Sequence, residues 1–181
     1  MTFTLKTEYI DQFLSGKTFS PVISLPEAHK SLQEKTCKGA EYLGWINLPE
    51  DMTDEKIAEI QKYSDTLRGK SDVLIVCGIG GSYLGARALI EALSDGAGIE
   101  IVFLGNHLSG REYERIFTKY KNKRVSACVI SKSGTTMETA ISYRLVRDFL
   151  LSKYSAEEVQ ERIVAITDEK NGALRAESDK Q

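Results

Sequence analysis

The chain has 181 residues, of which 41% are apolar and 28% are charged, a length and composition that predict one ordinary domain with a packed core. The formal net charge of −2 excludes the basic surface on which broad nucleic-acid binding depends. No apolar run approaches the ~18 residues of a membrane span, and the acidic N-terminus is unlike a secretion signal.

Residues 1–70 have the pattern of helices and loops. A helix is predicted over Glu27–Lys35, with Pro26 near its first turn, and a second over Asp54–Leu67, where Thr53 or Asp54 can cap the helix. The segment between them, KGAEYLGWINLP, is too apolar for a free loop. We therefore predict that residues 1–70 form a helical segment that packs on the main domain.

Residues 71–181 alternate between short apolar runs and longer amphipathic segments. Continuous apolar runs are typical of parallel strands that are buried on both faces. Four strands are predicted, over Val73–Cys77, Glu100–Leu104, Val125–Ile130 and Ile163–Ile166. Helices are predicted over Tyr83–Ser94, Gly110–Tyr120, Thr136–Leu151 and Ala156–Glu161, and another is predicted to start near Asn171.

This alternation of strand and helix predicts right-handed crossovers and a parallel sheet with helices on both faces. We predict an α/β fold, a doubly wound parallel sheet of flavodoxin-like type with strand order near 2-1-3-4. Because such sheets usually have five or more strands, we expect the domain over residues 71–181 to be truncated at its C-terminal side.

A glycine-rich turn, GIGGSYLG, directly follows the first predicted strand. Glycines permit a sharp turn that exposes N–H groups at a helix N-terminus, an arrangement that binds phosphate. The dinucleotide fingerprint does not fit, because its third glycine would fall at Tyr83 and no acidic residue ends the second strand. A P-loop does not fit either, because no GK[ST] follows. A tight turn without a ligand remains the alternative.

A second turn, SKSGTT, follows the third strand and also opens a helix. It has four hydroxyls and the cation of Lys132, whereas capping a helix requires only one hydroxyl. In the predicted strand order the first and third strands are neighbours, about 5 Å apart. The two turns would then flank the switch point at which open α/β sheets bind ligands. Together they predict one phosphate held from two sides.

The cysteines predict no metal site. Cys37, Cys77 and Cys128 form no CxxC pair, and neither His29 nor His107 lies at ligand spacing from a cysteine. An odd number of thiols, two of them inside apolar runs, indicates reduced cysteines in a cytoplasmic protein.

The segments VCGIGGSYLGARA and VISKSGTTMETAISYR resemble the two signature segments of the glucose-6-phosphate isomerase family, bacterial type. They are similar in kind to the sugar-isomerase (SIS) domain of a wider group of sugar-phosphate proteins. EYLGWINLP, FLGNHLSG and AITDEKNGAL also fit, so the resemblance runs from about Lys38 to Leu174.

The resemblance implies a set of residues that bind the substrate's phosphate. They are Gly81, Ser82, Ser131, Lys132, Ser133 and Thr136, with Thr135 and Thr139 as weaker candidates. It also implies the reversible conversion of glucose 6-phosphate to fructose 6-phosphate in glycolysis and gluconeogenesis. The implied enzyme is a cytoplasmic homodimer or larger homo-oligomer that needs no cofactor or metal.

The family's catalytic groups, a glutamate base assisted by a histidine, a lysine and an arginine, lie in segments that nothing here matches. We expect them beyond Gln181, so that this chain binds phosphate without isomerising sugars. Glu138 lies close to the second turn and could be considered as a base. Its position in the first turn of a predicted helix favours instead an interaction between its negative charge and the helix dipole. A non-catalytic SIS-domain sensor is the alternative, disfavoured because residues 1–70 show no basic helix-turn-helix.

Overall fold

The structure, a computed structural model, describes residues 8–9, 11–13 and 25–180. Residues 1–7, 10 and 14–24 of the predicted N-terminal segment, and Gln181, lie outside the described residues. The chain divides into two compact units, Met1–Ile57 and Ala58–Gln181. The predicted packing of residues 1–70 on the main domain stays a prediction.

The described residues of the first unit form short helices. Two 3-10 helices cover Asp11–Phe13 and Ala40–Trp45, and helices α1 and α2 cover Leu25–Gln33 and Leu48–Asp51. Helix α1 begins two residues before the predicted start and ends before Lys35, whose φ of 54° is incompatible with a right-handed helix. The predicted bounds of this helix were therefore displaced towards the C-terminus.

Four parallel strands form the sheet of the second unit. They are β1 (Val73–Cys77), β2 (Glu100–Leu104), β3 (Val125–Ile130) and β4 (Ile163–Ile166). The order is β2-β1-β3-β4, which confirms the predicted fold class and strand order. Cys77, the last residue of β1, pairs with Leu104 on one side and Val129 on the other, so these three strands end at the same edge.

Helices connect and flank these strands. They are α3 (Asp54–Lys70), α4 (Leu84–Leu93), α5 (Gly110–Tyr120), α6 (Met137–Leu151), α7 (Ala156–Glu161) and α8 (Ala173–Ser178). Helix α8 begins later than the predicted Asn171, because Gly172 adopts a φ of 106° that is incompatible with a helix.

The core of the second unit lies between the sheet and α5, α6 and α7. Tyr113 and Ile116 from α5 and Val146 and Leu150 from α6 are buried against strand residues such as Ile75. Burying a side chain such as Leu150 contributes about 2 kcal/mol. This packing holds the N-terminal end of α6 at the carboxyl edge of the sheet.

The described cysteines are free thiols. Burial raises the pKa of Cys77 to about 12 and that of Cys128 to about 11, so both stay protonated at neutral pH. The described residues contain no cluster of three side chains suited to a metal ion. Among the helices of the described ranges, none combines the length and the apolar character that a bilayer crossing needs.

Candidate functional site

The turn after β1 is a tight backbone loop that opens α4. Gly80 has a φ of 52°, and a single turn of 3-10 helix covers Gly80–Ser82. Gly81 is exposed and Ser82 is half-buried. No side chain caps the N-terminus of α4 at Tyr83, so the helix presents uncapped N–H groups beside the turn.

The turn after β3 places its hydroxyls in a defined network. Ser131 is buried, and its Oγ accepts a hydrogen bond from the Gly134 N–H at 3.0 Å. The Ser133 Oγ accepts from the Thr135 N–H at 3.2 Å and from the Thr135 hydroxyl at 2.9 Å. Ser131 and Ser133 therefore act as acceptors within the turn and keep their own hydroxyl hydrogens to donate elsewhere. Lys132 is exposed.

Helix α6 begins without the side-chain cap that its sequence could supply. Thr136 occupies the N-cap position with an extended backbone, yet its side chain makes no capping hydrogen bond. The N–H groups of the first turn of α6 are consequently left uncapped at the carboxyl edge of the sheet, next to the Thr136 hydroxyl. The positive end of the helix dipole lies at the same place. Capping does not explain why this turn is rich in hydroxyls.

Residues 167–174 support the turn from behind. The Thr167 hydroxyl donates to the Ser131 carbonyl at 2.8 Å, and the Ala173 N–H donates to the Ser133 carbonyl at 2.9 Å. These carbonyl oxygens therefore have partners on the side away from the β1 turn. An anion on the open side of the turn would meet hydroxyls and N–H groups instead of carbonyl oxygens.

Gly134 makes this support possible. Its φ is 71°, and a Cβ at this position would lie 2.1 Å from the Leu174 backbone nitrogen. This requirement could not be predicted from the sequence, since Leu174 is distant along the chain and the glycine itself was the only signal.

The two turns lie side by side. A Cβ on Gly78 would lie 3.3 Å from the Ser82 Cβ and 3.4 Å from the Ile130 carbonyl oxygen, so the β1 turn passes closely by the end of β3. The structure thus brings the turn of Gly81 and Ser82 next to the turn that starts at Ser131. This adjacency follows from the pairing of β1 with β3.

Thr139 lies in the first turn of α6. It is buried and lines a cleft of about 680 Å³ between α6 and α8, together with Ser131 and Gly134. The Thr135 hydroxyl already donates to Ser133. The hydroxyl hydrogen of Thr135 is therefore already used within the turn, and the Thr139 side chain is less exposed than those of Ser82 and Thr136.

Asp168 adds a fixed negative charge behind the second turn. Its Oδ1 accepts from the N–H groups of Lys170 and Asn171 at 3.0 and 2.9 Å. These hydrogen bonds lower the pKa of Asp168, and the positive charge of Lys132 lowers it further. Asp168 is therefore ionised at neutral pH and attracts the Lys132 ammonium group.

Two other charged residues, Arg87 and Glu138, lie near the turns. The Arg87 Nε donates to Glu91 at 2.7 Å, and its guanidinium lies 5.9 Å from the Phe103 ring centre. Glu138 is half-buried in the first turn of α6. Neither residue adds a cation to the space between the turns.

The fold and this sheet edge define a doubly wound α/β domain with two helix-opening turns at its strand-order switch point. A family model described as phosphoglucose isomerase matches residues 54–180. This chain therefore belongs to the phosphoglucose isomerase family, which confirms the resemblance noted in its sequence.

Curated relatives are longer than this chain. It is 47% identical over 158 residues to a glucose-6-phosphate isomerase of Shouchella clausii, a match that covers 82% of this chain and 35% of that protein. It is 42% identical over 175 residues to a glucose-6-phosphate isomerase of Clostridium tetani, covering 91% of this chain and 38% of the relative. The chain thus spans little more than a third of the length of these relatives.

Two solved structures share the fold. A hypothetical protein from Thermus thermophilus aligns with a TM-score of 0.76 at 29% identity, over 86% of this chain and 36% of that one. A glucose-6-phosphate isomerase from Chlamydia trachomatis aligns with a TM-score of 0.54 at 27% identity, over 64% of this chain and 23% of that one.

Proposed function

We propose that this chain is the sugar-phosphate-binding part of a glucose-6-phosphate isomerase. The observation that carries the proposal is the turn after β3, where a cation and several hydroxyls precede a helix that none of them caps. The adjacent glycine-rich turn after β1 adds a second set of N–H groups. Relatives that are named glucose-6-phosphate isomerase supply the substrate class.

In this proposal the phosphate of the sugar lies between the two turns. The hydroxyls of Ser131, Ser133 and Thr136 donate to its oxygens, and Lys132 supplies the positive charge. Gly81 and Ser82 approach from the β1 turn, the glycine through its backbone and the serine through its hydroxyl.

The whole enzyme would interconvert glucose 6-phosphate and fructose 6-phosphate in the cytoplasm, as a homodimer or larger homo-oligomer, without a cofactor or metal. The reaction moves a proton between C1 and C2 of the sugar and needs a carboxylate base above those carbons. We propose that this base belongs to a segment outside the present 181 residues and that the chain by itself does not isomerise its ligand.

A calorimetric titration with fructose 6-phosphate tests the binding site. Replacing Ser131→Ala together with Lys132→Ala should weaken affinity at least about tenfold, or about 1.4 kcal/mol, because charge-assisted contacts to phosphate are lost. The matched control is Ser152→Ala with Lys123→Ala, since both residues lie at the opposite edge of the sheet, after α6 and before β3. Equal affinities of the two double variants would contradict the site.

A coupled isomerase assay on the same sample, with its intact mass verified, tests the proposed division of roles. We expect binding without turnover. Robust turnover at the correct mass would show that a catalytic base is present within the chain and would direct attention to Glu138.

A further inference from the structure

A third loop, residues 105–109, contacts the start of the β1 turn and helix α6. We call this segment the β2 loop because it follows β2. Gly105 is buried and has a φ of 101°, and a Cβ there would lie 3.1 Å from the Ser142 Oγ and 3.3 Å from the Gly78 nitrogen. The β2 loop therefore passes between the β1 turn and helix α6 with no room for a side chain.

Tyr113, in α5 directly after this loop, is joined to α6 by a buried chain of hydrogen bonds through Ser142. The Ser142 hydroxyl donates to the Glu138 carbonyl at 2.6 Å. Its oxygen can then accept from the Tyr113 hydroxyl, which lies 2.5 Å away. The single Tyr113 hydroxyl hydrogen is then used, so the His107 carbonyl of the β2 loop, 3.3 Å away, is only the alternative acceptor for it. Both side chains are almost fully buried, so water does not compete for these bonds.

This chain of hydrogen bonds ends in the first turn of α6. Glu138 is two residues after Thr136, and the N–H groups of this turn form the anion-facing end of the helix. A shift of the first turn would move those N–H groups and the Thr136 hydroxyl away from Ser82 and Gly81. Hydrogen bonds to phosphate lose strength steeply with distance and angle.

We propose that the Tyr113 and Ser142 hydroxyls are positioning groups that hold the first turn of α6 in register with the β1 turn and so set the affinity for the sugar's phosphate without touching it. The inference rests on the proposed function. Burial raises the pKa of Tyr113, so its hydroxyl stays a donor across the neutral range. The β2 loop fills the space between α6 and the β1 turn, where Gly105 packs against Ser142 and Gly78.

The test compares Tyr113→Phe with Tyr154→Phe in the 181-residue chain. Each variant loses one tyrosine hydroxyl, and the Tyr154 hydroxyl accepts from the Val125 N–H at the start of β3, at the opposite edge of the sheet. Both variants should melt at a lower temperature than the unmodified chain. Only Tyr113→Phe should also raise the Kd for fructose 6-phosphate, by about threefold or more, and speed amide hydrogen exchange at Ala140, whose N–H donates to the Thr136 carbonyl at 2.9 Å.

A double-mutant cycle with Ser142→Ala completes the test. If the two hydroxyls act through one hydrogen bond, Ser142→Ala should raise the Kd in the unmodified background and add little in the Tyr113→Phe background. A Kd that follows melting temperature equally in Tyr113→Phe and Tyr154→Phe would overturn the inference, because the role would then be structural alone. Absence of binding by the unmodified chain would overturn the proposed function as well, and is distinguishable because it precedes any substitution.

Discussion

At the scale of single residues, the candidate site depends on a few backbone conformations that residues other than glycine rarely adopt. Gly80 and Gly134 both have positive φ, one in each turn, but their surroundings differ. A Cβ on Gly80 would meet nothing within 4 Å, whereas a Cβ on Gly134 would overlap the Leu174 backbone. The conformational requirement and the packing requirement can therefore be separated.

We predict that Gly134→Ala destabilises the chain by about 3 kcal/mol or more, because left-handed strain adds to overpacking against Leu174. Gly80→Ala should cost only the strain, about 1–2 kcal/mol. Urea denaturation of the two variants and the unmodified chain measures the difference. Equal losses would mean that residues 173–174 move away easily and do not fix the turn.

At the scale of elements, Lys153, which follows the end of α6, stabilises the segment that connects α5 to β3. The Lys153 ammonium donates to the carbonyls of Tyr120, Lys121 and Lys123, with distances of 3.1 Å and 2.9 Å for the first two. These carbonyls belong to the last turn of α5 and the loop after it, where a cation also favours the helix dipole. Burial and the nearby Arg162 lower the pKa of Lys153.

We predict that Lys153→Met destabilises the chain by about 1–2 kcal/mol, because three carbonyl groups lose a charged donor. Lys119→Met is the matched control on α5, since Lys119 makes an exposed ion pair with Glu100 of the kind that stabilises little. Its effect should be clearly the smaller of the two in urea denaturation. Similar effects from both substitutions would show that Lys153 is an ordinary surface lysine.

The sequence predicted the strands and their order better than it predicted the side-chain contacts between residues that are distant along the chain. Buried parallel strands leave uninterrupted apolar runs, so the bounds of β1 and β3 could be read directly. The two turns of the site could also be located, because glycines and hydroxyls are adjacent in the chain. Other contacts of the site join residues that are distant along the chain, such as Gly134 with Leu174 and Tyr113 with Ser142. No local sequence pattern predicts contacts of this kind.

At the scale of the whole molecule, helix α4 leaves an apolar face exposed. Leu84, Leu89 and Leu93 are 54%, 64% and 78% exposed, and none of the residues of α4 is buried. Leu89 and Leu93 are four residues apart and so lie on the same face of the helix. An exposed apolar helix face favours association between molecules.

We predict that the unmodified chain forms oligomers at micromolar concentration, and that Leu89→Glu with Leu93→Glu makes it monomeric while its circular dichroism is unchanged. Glutamate is a good helix former, so α4 should persist while the apolar face is lost. Lys121→Gln with Lys123→Gln is the control, because it lowers the net charge equally at exposed positions outside α4.

Light scattering should show oligomers for the control and for the unmodified chain. A monodisperse unmodified monomer would mean that the α4 face does not drive association, and oligomers of equal mass in the glutamate variant would assign association to another surface.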